Sequence, residues 1–183
     1  MGEPWIALHL TDRCPLDCVH CLRDPGARPT DLSVEAVDRA LEQAARTHRI
    51  EHVSLTGGEP MAHPDLPGVI AAIVRRGLRF HLVTSGVGIE RLWRIVDADP
   101  AARRALTRVN VSVDGATQRT HDAIRGVPGA FRRLRLGVAS LKAAPSVPAL
   151  SGRCTVQRAN ARSLRATVSA ARIAGLDRIS FLA

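Results

Sequence analysis

Cys14, Cys18 and Cys21 crowd three of the chain's four cysteines into eight positions with the spacing C-x3-C-x2-C, while Cys154 lies far along the chain. Positions i, i+4 and i+7 can converge on one side of a tightly turned loop, and Pro15 biases Cys14 toward the extended backbone that launches such a turn. Three thiolates suit an iron–sulfur cubane, in which each iron takes one ligand beyond the bridging sulfides, so that one iron stays open to a non-protein ligand. Structural zinc is the competing reading, because zinc accepts a Cys3His set and His20 sits inside the motif. Zinc sites usually bring together two ligand pairs from separate elements, however, and His20 directly beside Cys21 has difficulty reaching the same ion. The spacing favours the cluster. Cys154, whose side chain points opposite to that of its neighbour Arg153, reads as a small buried hydrophobe.

A second constellation is Gly57-Gly58-Glu59-Pro60, preceded by Thr56. Two glycines let a backbone come close to a ligand and turn its carbonyls toward a cation, and the Glu59 carboxylate adds charge nearby. On this reading a branched side chain at Gly58 blocks the ligand without disturbing the cysteines. Alone, Gly-Gly is more often an ordinary turn. Thr84-Ser85-Gly86 and Ser112-Val113-Asp114-Gly115 are further polar, flexible segments, and Asp114-Gly115 is also a natural turn corner.

Elements that would position these groups follow from the apolar pattern. Strands are predicted at Trp5 to Leu10, Val53 to Leu55, Phe80 to Val83, Val109 to Val113, Leu150 to Val156 and Ile179 to Leu182. Helices are predicted from Ser33, which caps the face Val34, Val37, Leu41 and Ala45, and over Leu66 to Arg76, where Gly77 stops the run. Others cover Ile89 to Val96, Ala101 to Leu106, Gly129 to Ala143, and a span through Ala174 capped by Asn160. Strand then helix, repeated, argues for parallel strands with helical crossovers in one α/β domain. The pattern does not choose between a doubly wound sheet and a partial (β/α) barrel. In either, the polar segments fall at the strands' C-terminal ends, where α/β sites lie.

Composition narrows the classes further. The chain has 183 residues and 45% hydrophobic content, enough for one core. No apolar run approaches the roughly 20 residues of a membrane span, and the N-terminus lacks a signal-peptide pattern, so a cytoplasmic location is expected. The formal charge of +9 is carried almost wholly by arginine, Lys142 being the only lysine. That charge would attract anions. The arginines are spread along helices and aromatic residues make up 3% with no tyrosine, which weighs against nucleic-acid binding. His63, His81 and His121 match no ligand spacing and read as surface or loop residues, and Arg153 reads as an outward arginine.

Thr11-Asp12-Arg13-Cys14-Pro15-Leu16-Asp17-Cys18-Val19-His20-Cys21 resembles the cluster loop of the radical S-adenosylmethionine (SAM) superfamily, and the later strand ends resemble it as well. The resemblance implies a radical SAM core domain over 1–183, folded as a partial (β/α)6 barrel that ends within strand six. It implies a [4Fe–4S] cluster on Cys14, Cys18 and Cys21. It places SAM against Gly57, Gly58, Glu59 and Pro60, with His20 near the adenine. Thr84, Ser85, Ser112 and Asp114 are expected as further polar contacts. Cleavage of SAM would give a 5′-deoxyadenosyl radical, with electrons from a donor such as a flavodoxin or ferredoxin. His121-Asp122-Ala123-Ile124-Arg125-Gly126-Val127-Pro128-Gly129-Ala130-Phe131 is similar to a stretch of peptide- and cofactor-maturing members, which implies a peptide or small-molecule precursor as substrate. Those members carry a C-terminal extension, so a truncated core is expected, with a further segment or a protein partner covering strand six. A remnant that binds cluster and SAM without turnover is the alternative of a different class.

Overall fold

The computed structural model of the protein describes residues 4–24, 26–143 and 148–182. Among these residues six strands form one sheet: β1 (Trp5–His9), β2 (His52–Thr56), β3 (Arg79–Thr84), β4 (Leu106–Ser112), β5 (Ala149–Thr155) and β6 (Arg178–Leu182). Every pairing is parallel and the strands lie in sequence order, β1 through β6. A doubly wound sheet reverses its order at a switch point. Sequential parallel order is that of a barrel wall, so the open alternative resolves to a partial (β/α)6 barrel.

Among the described residues seven α-helices connect the strands: α1 (Val34–Thr47), α2 (Leu66–Arg75), α3 (Glu90–Ala98), α4 (Pro100–Ala105), α5 (Gln118–Arg125), α6 (Ala130–Lys142) and α7 (Leu164–Ile173). Their starts obey local chemistry. Ser33 Oγ accepts the Ala36 N–H at 3.2 Å to begin α1, and Asp65 Oδ1 accepts the Gly68 N–H at 2.9 Å to begin α2. Among the described residues no helix is long and apolar enough to cross a membrane.

Strand alternation divides the sheet into two unlike faces. Val53, Leu55, Phe80, Leu82, Val109, Val111 and Leu150 point to the helices and are buried with Leu41, Ile70, Ile73, Leu92 and Leu134 in one apolar core. Phe80 is fully buried there, and cutting it to alanine is expected to cost about 3–5 kcal/mol. The other face carries Ser54, His81, Asn110 and Arg153 and lines an open lumen. Arg153 is thus turned into the lumen, not outward as expected from sequence.

The apolar pattern predicts no helix between Gly115 and Gly129, and α5 fills that gap. It starts at Thr117, whose Oγ1 accepts the Thr120 N–H at 3.2 Å. It ends at Gly126 in the left-handed region, φ 71°. Asp122 of α5 accepts the Gly129 N–H at 2.6 Å and the Phe131 N–H at 2.8 Å, which caps α6 in place of a residue of its own.

Gly126, just past α5, lies directly against the cysteine loop, since a Cβ there would overlap the Asp17 carbonyl. Gly126→Ala is therefore expected to destabilise the protein by more than about 2 kcal/mol, through both the overlap and the positive φ. Denaturant titration of the variant against the parent measures it.

Candidate functional site

Beyond β1 the chain has no ladder of its own and is held by neighbours. Leu10 N donates to Thr56 O at 2.9 Å, and Leu16 is buried as the loop's apolar anchor. Asp31 clasps the loop's start, accepting from Thr11 Oγ1 at 2.6 Å and from Arg13 Nε at 3.0 and 3.1 Å. Arg23 folds the loop back on itself by donating to Asp12 O and Leu16 O, both at 3.0 Å. From the far side, Asp17 N donates to Arg125 O at 3.2 Å and Val19 N to Ile124 O at 3.0 Å, which ties the loop to the last turn of α5.

Gly57 and Gly58 close it from below. Gly58 N donates to Thr11 O at 2.6 Å and Glu59 N to Arg13 O at 2.8 Å. A Cβ on Gly57 (φ 140°) would lie 2.7 Å from Thr11 O, and one on Gly58 would lie 2.5 Å from Arg13 O. Both are closer than side-chain carbons come to backbone, so these positions are glycine first because the cysteine loop's backbone lies against them. A branched residue at Gly58 consequently displaces the cysteine loop itself, which corrects the expectation that it would act on the ligand alone.

Cys14, Cys18, Cys21, His20, Gly57, Gly58, Thr84, Ser85 and Ser112 line one cavity of about 550 Å³ at the C-terminal edge of the sheet. The thiols surround this space without closing on a point: among the described residues no three His, Cys, Asp or Glu side chains converge to hold a single metal ion. Burial pushes the Cys14 and Cys18 thiols above their ordinary range, with Arg125 Nη1 opposing that shift at 3.6 Å from Cys18 Sγ. His20 Nδ1 lies 2.7 Å from the Gln157 side-chain amide, and burial keeps its ring in the neutral form. Among the described residues the Ser112 hydroxyl has no side-chain partner and faces the cavity.

Glu59, Pro60 and Asp114 do not line this space. Pro60 is buried at the start of a short 3-10 turn. The Glu59 carboxylate is 1% exposed and turned inward, accepting from Met61 N (3.3 Å), Thr84 Oγ1 (2.7 Å), Ser85 N (2.8 Å) and Ser85 Oγ (2.5 Å). It welds the glycine loop to the end of β3, and burial raises its carboxyl even against those donors. The hydroxyls of Thr84 and Ser85 are spent on this carboxylate. Asp114 is fully buried: Oδ1 accepts the Thr155 N–H at 2.9 Å, and Oδ2 sits 2.6 Å from Arg125 Nη2 in an ion pair whose angles fall short of a hydrogen bond.

Several residues read as incidental are structural. His63 is buried, its Nε2 2.9 Å from Leu32 O and its Nδ1 accepting from Asp65 N at 3.2 Å. His121 is buried beside Phe131 (ring centroids 5.3 Å apart), and its Nδ1 accepts the Asp114 N–H at 3.2 Å. Asn160 makes no side-chain cap; its amide donates to Asp114 O at 3.0 Å and Thr155 O at 2.9 Å and joins the ends of β4 and β5. Cys154 is buried as expected, with its thiol pushed up to about 11 by burial. Arg125 is the site residue missed from sequence. Its signal was the stretch from His121 to Phe131, in which a histidine, an acid, an arginine and two glycines each hold a defined contact.

Burial lowers the His121 ring from 6.5 to about 3. The unfolded chain therefore binds a proton that the folded chain refuses, and stability that is complete above pH 6.5 is lost as pH falls toward 3. From about pH 8 to about pH 5 this residue is expected to remove about 2 kcal/mol of stability. Chemical denaturation across that range measures the slope, and His121→Gln should abolish this part of it.

The family model of the radical SAM superfamily matches residues 8–147. A PqqA peptide cyclase of Methylocella silvestris is 33% identical over 174 residues, covering 93% of this chain and 44% of the relative. An AdoMet-dependent heme synthase of Methanosarcina barkeri is 37% identical over 147 residues, covering 76% of this chain and 39% of the relative. The chain thus spans less than half the length of these curated relatives. Among solved structures, Streptococcus suis SuiB bound to its precursor peptide SuiA superposes with a TM-score of 0.75 at 16% identity, over 98% of this chain and 39% of that one. The structure of anSMEcpe with bound AdoMet also gives 0.75, at 17% identity, over 98% of this chain and 51% of that one. With the matched segment covering most of the chain, and its cysteines, glycine loop and strand ends gathered on one cavity, this protein belongs to the radical SAM superfamily.

Proposed function

We propose that residues 1–183 form the core domain of a radical SAM enzyme. On this reading Cys14, Cys18 and Cys21 hold a [4Fe–4S] cluster, SAM lies against Gly57, Gly58, His20 and Ser112, and hydrogen is abstracted from a peptide or cofactor-precursor substrate. The observation that carries it is the single cavity shared by three thiols, the glycine loop and the Ser112 hydroxyl. The donor set fits the group: three soft thiolates suit iron–sulfur ligation, and His20, already engaged by Gln157, is not aimed at a fourth protein ligand role. Bound together, such a cluster and SAM supply one-electron cleavage of the sulfonium to a carbon radical that abstracts hydrogen.

The chain's own residues do the rest. Arg125 places a cation beside Cys18 and favours its thiolate, the form that binds metal. The ion pair with Asp114 holds that cation in place. Ser112 offers an uncommitted hydroxyl to a polar ligand, and the neutral face of His20 offers a flat surface for a purine. Glu59 acts indirectly by fixing the glycine loop to Thr84 and Ser85. The peptide or cofactor substrate is supported by the relatives' activities, and an electron donor of the flavodoxin or ferredoxin type completes the cycle.

Anaerobic reconstitution with iron and sulfide is expected to load about four irons per chain. Alanine at Cys14, Cys18 or Cys21 should abolish loading, whereas Cys154→Ala should leave it intact. Reduced, loaded protein given SAM should release 5′-deoxyadenosine. Tight zinc uptake without iron–sulfur absorbance would refute the assignment. Gly58→Ala should cut both iron loading and SAM binding, because it lifts the cysteine loop; normal loading with lost SAM binding would show that the glycine meets only the ligand.

A further inference from the structure

The cysteine cavity is the upper one of the barrel, and each of its three thiols already receives a hydrogen bond. The Leu16 N–H reaches Cys14, and Arg23 N donates to Cys21 Sγ at 3.4 Å. Both donors are backbone amides two residues past the cysteine, as a tight turn supplies them. Cys18 differs. Its donor is Arg125 Nη1 at 3.6 Å, a charged side chain from α5, 107 positions along the chain. One thiol of the three is thus given a full positive charge.

That charge is costly to keep. Arg125 is buried, and its Nε has no hydrogen-bond partner among the described residues. Its acid is the fully buried Asp114, whose Oδ2 lies 2.6 Å from Nη2. A buried ion pair of this kind often stabilises a fold no better than apolar side chains of the same volume, because desolvation cancels its attraction. Nor does the guanidinium clamp the cysteine loop to α5. That clamp is backbone, from Asp17 N to Arg125 O and from Val19 N to Ile124 O. The guanidinium instead bridges a carboxylate on one terminal nitrogen and a sulfur on the other. The other arginine of the loop, Arg23, turns its side chain away to Asp12 O and Leu16 O.

Hydrogen bonds to sulfur and the net charge nearby are two levers by which a protein sets the reduction potential of an iron–sulfur centre. The reduced centre carries one more negative charge, so a cation beside a ligand sulfur favours it. We propose that Arg125 and Asp114 form a potential-setting pair for the centre held by Cys14, Cys18 and Cys21, in which Arg125 raises the potential through Cys18 and Asp114 limits the rise. This rests on the reading of the three cysteines as cluster ligands. One electron enters from the donor, and no bond or proton changes at Arg125. Arg125 acts through Cys18 as a positioning residue, and the pair decides which donors can reduce the centre.

The test is a redox titration of the full chain, reconstituted anaerobically with iron and sulfide, without SAM, followed by visible absorbance and electron paramagnetic resonance. Arg125→Met should lower the potential by the equivalent of at least tenfold in the reduction equilibrium, about 59 mV for one electron. Asp114→Asn keeps the oxygen that Thr155 bonds, removes the opposing charge and should raise the potential. Arg125→Lys keeps the charge without the fork and should recover more than half of the loss. The exposed Arg135→Gln removes the same net charge elsewhere and should leave the potential unchanged. Opposite shifts from the two partners of one ion pair are the signature of an electrostatic role, which damage to the loop does not reproduce. Shifts of the same sign, or none, overturn the inference. Reduced iron loading with an unchanged potential in the loaded fraction also overturns it, by making Arg125 a residue of cluster uptake alone. Should Arg125→Met not fold, the sign of the Asp114→Asn shift decides: a rise supports the pair, and a fall or no change overturns it. Failure of the parent to load iron would instead overturn the cluster reading.

Discussion

Everything in the upper cavity depends on backbone lying against backbone. The segment that carries the three thiols belongs to no helix or strand, and it is positioned by close approach to chain that lacks a Cβ. Gly57 and Gly58 admit Thr11 and Arg13 on one side, and Gly126 admits Asp17 on the other. Two hydrogen bonds lock each contact. A loop gripped in this way has little freedom to reorganise when a ligand arrives, which is the condition for a preorganised site.

Two buried carboxylates hold the supports together. Glu59 gathers four donors and joins the glycine loop to β3, and Asp114 joins β4, β5 and α5 through Thr155 and Arg125. Each stands one layer behind the cavity. Both are acids at strand ends, the position from which a ligand contact is naturally read, yet both are turned inward. The reason is that strand ends in a barrel need something to bind their last backbone donors, and a short acid does this where helix and sheet diverge. The residue left to face a ligand is one without such duties, Ser112.

What was legible in the sequence follows from this. The cysteine spacing, the six strands and most helices were readable because each is a local pattern, and Ser33 capped α1 as its position predicts. The helix α5 was not, because its buried positions include His121 and Arg125 and it presents no apolar stripe. His63 and His121 looked solvent-facing since nothing nearby in sequence supplies their partners. Arg153 looked outward because arginine usually is, whereas a barrel gives its strands a polar inner face. Which barrel or sheet the strands make depends on their order, and order is a long-range property that periodicity does not carry.

The contact between His20 and Gln157 spans 137 positions of the chain. During synthesis the cysteines leave the ribosome well before the partner of His20, which lies beyond β5. The grip of Gly126 and of Ile124 on the loop likewise arrives only once α5 has been made. Contacts of such high sequence separation form late in folding. The thiols must therefore pass through a period in which they are synthesised, exposed and unshaped, and the nascent chain is open to oxidation or to the wrong metal until most of the barrel has been translated.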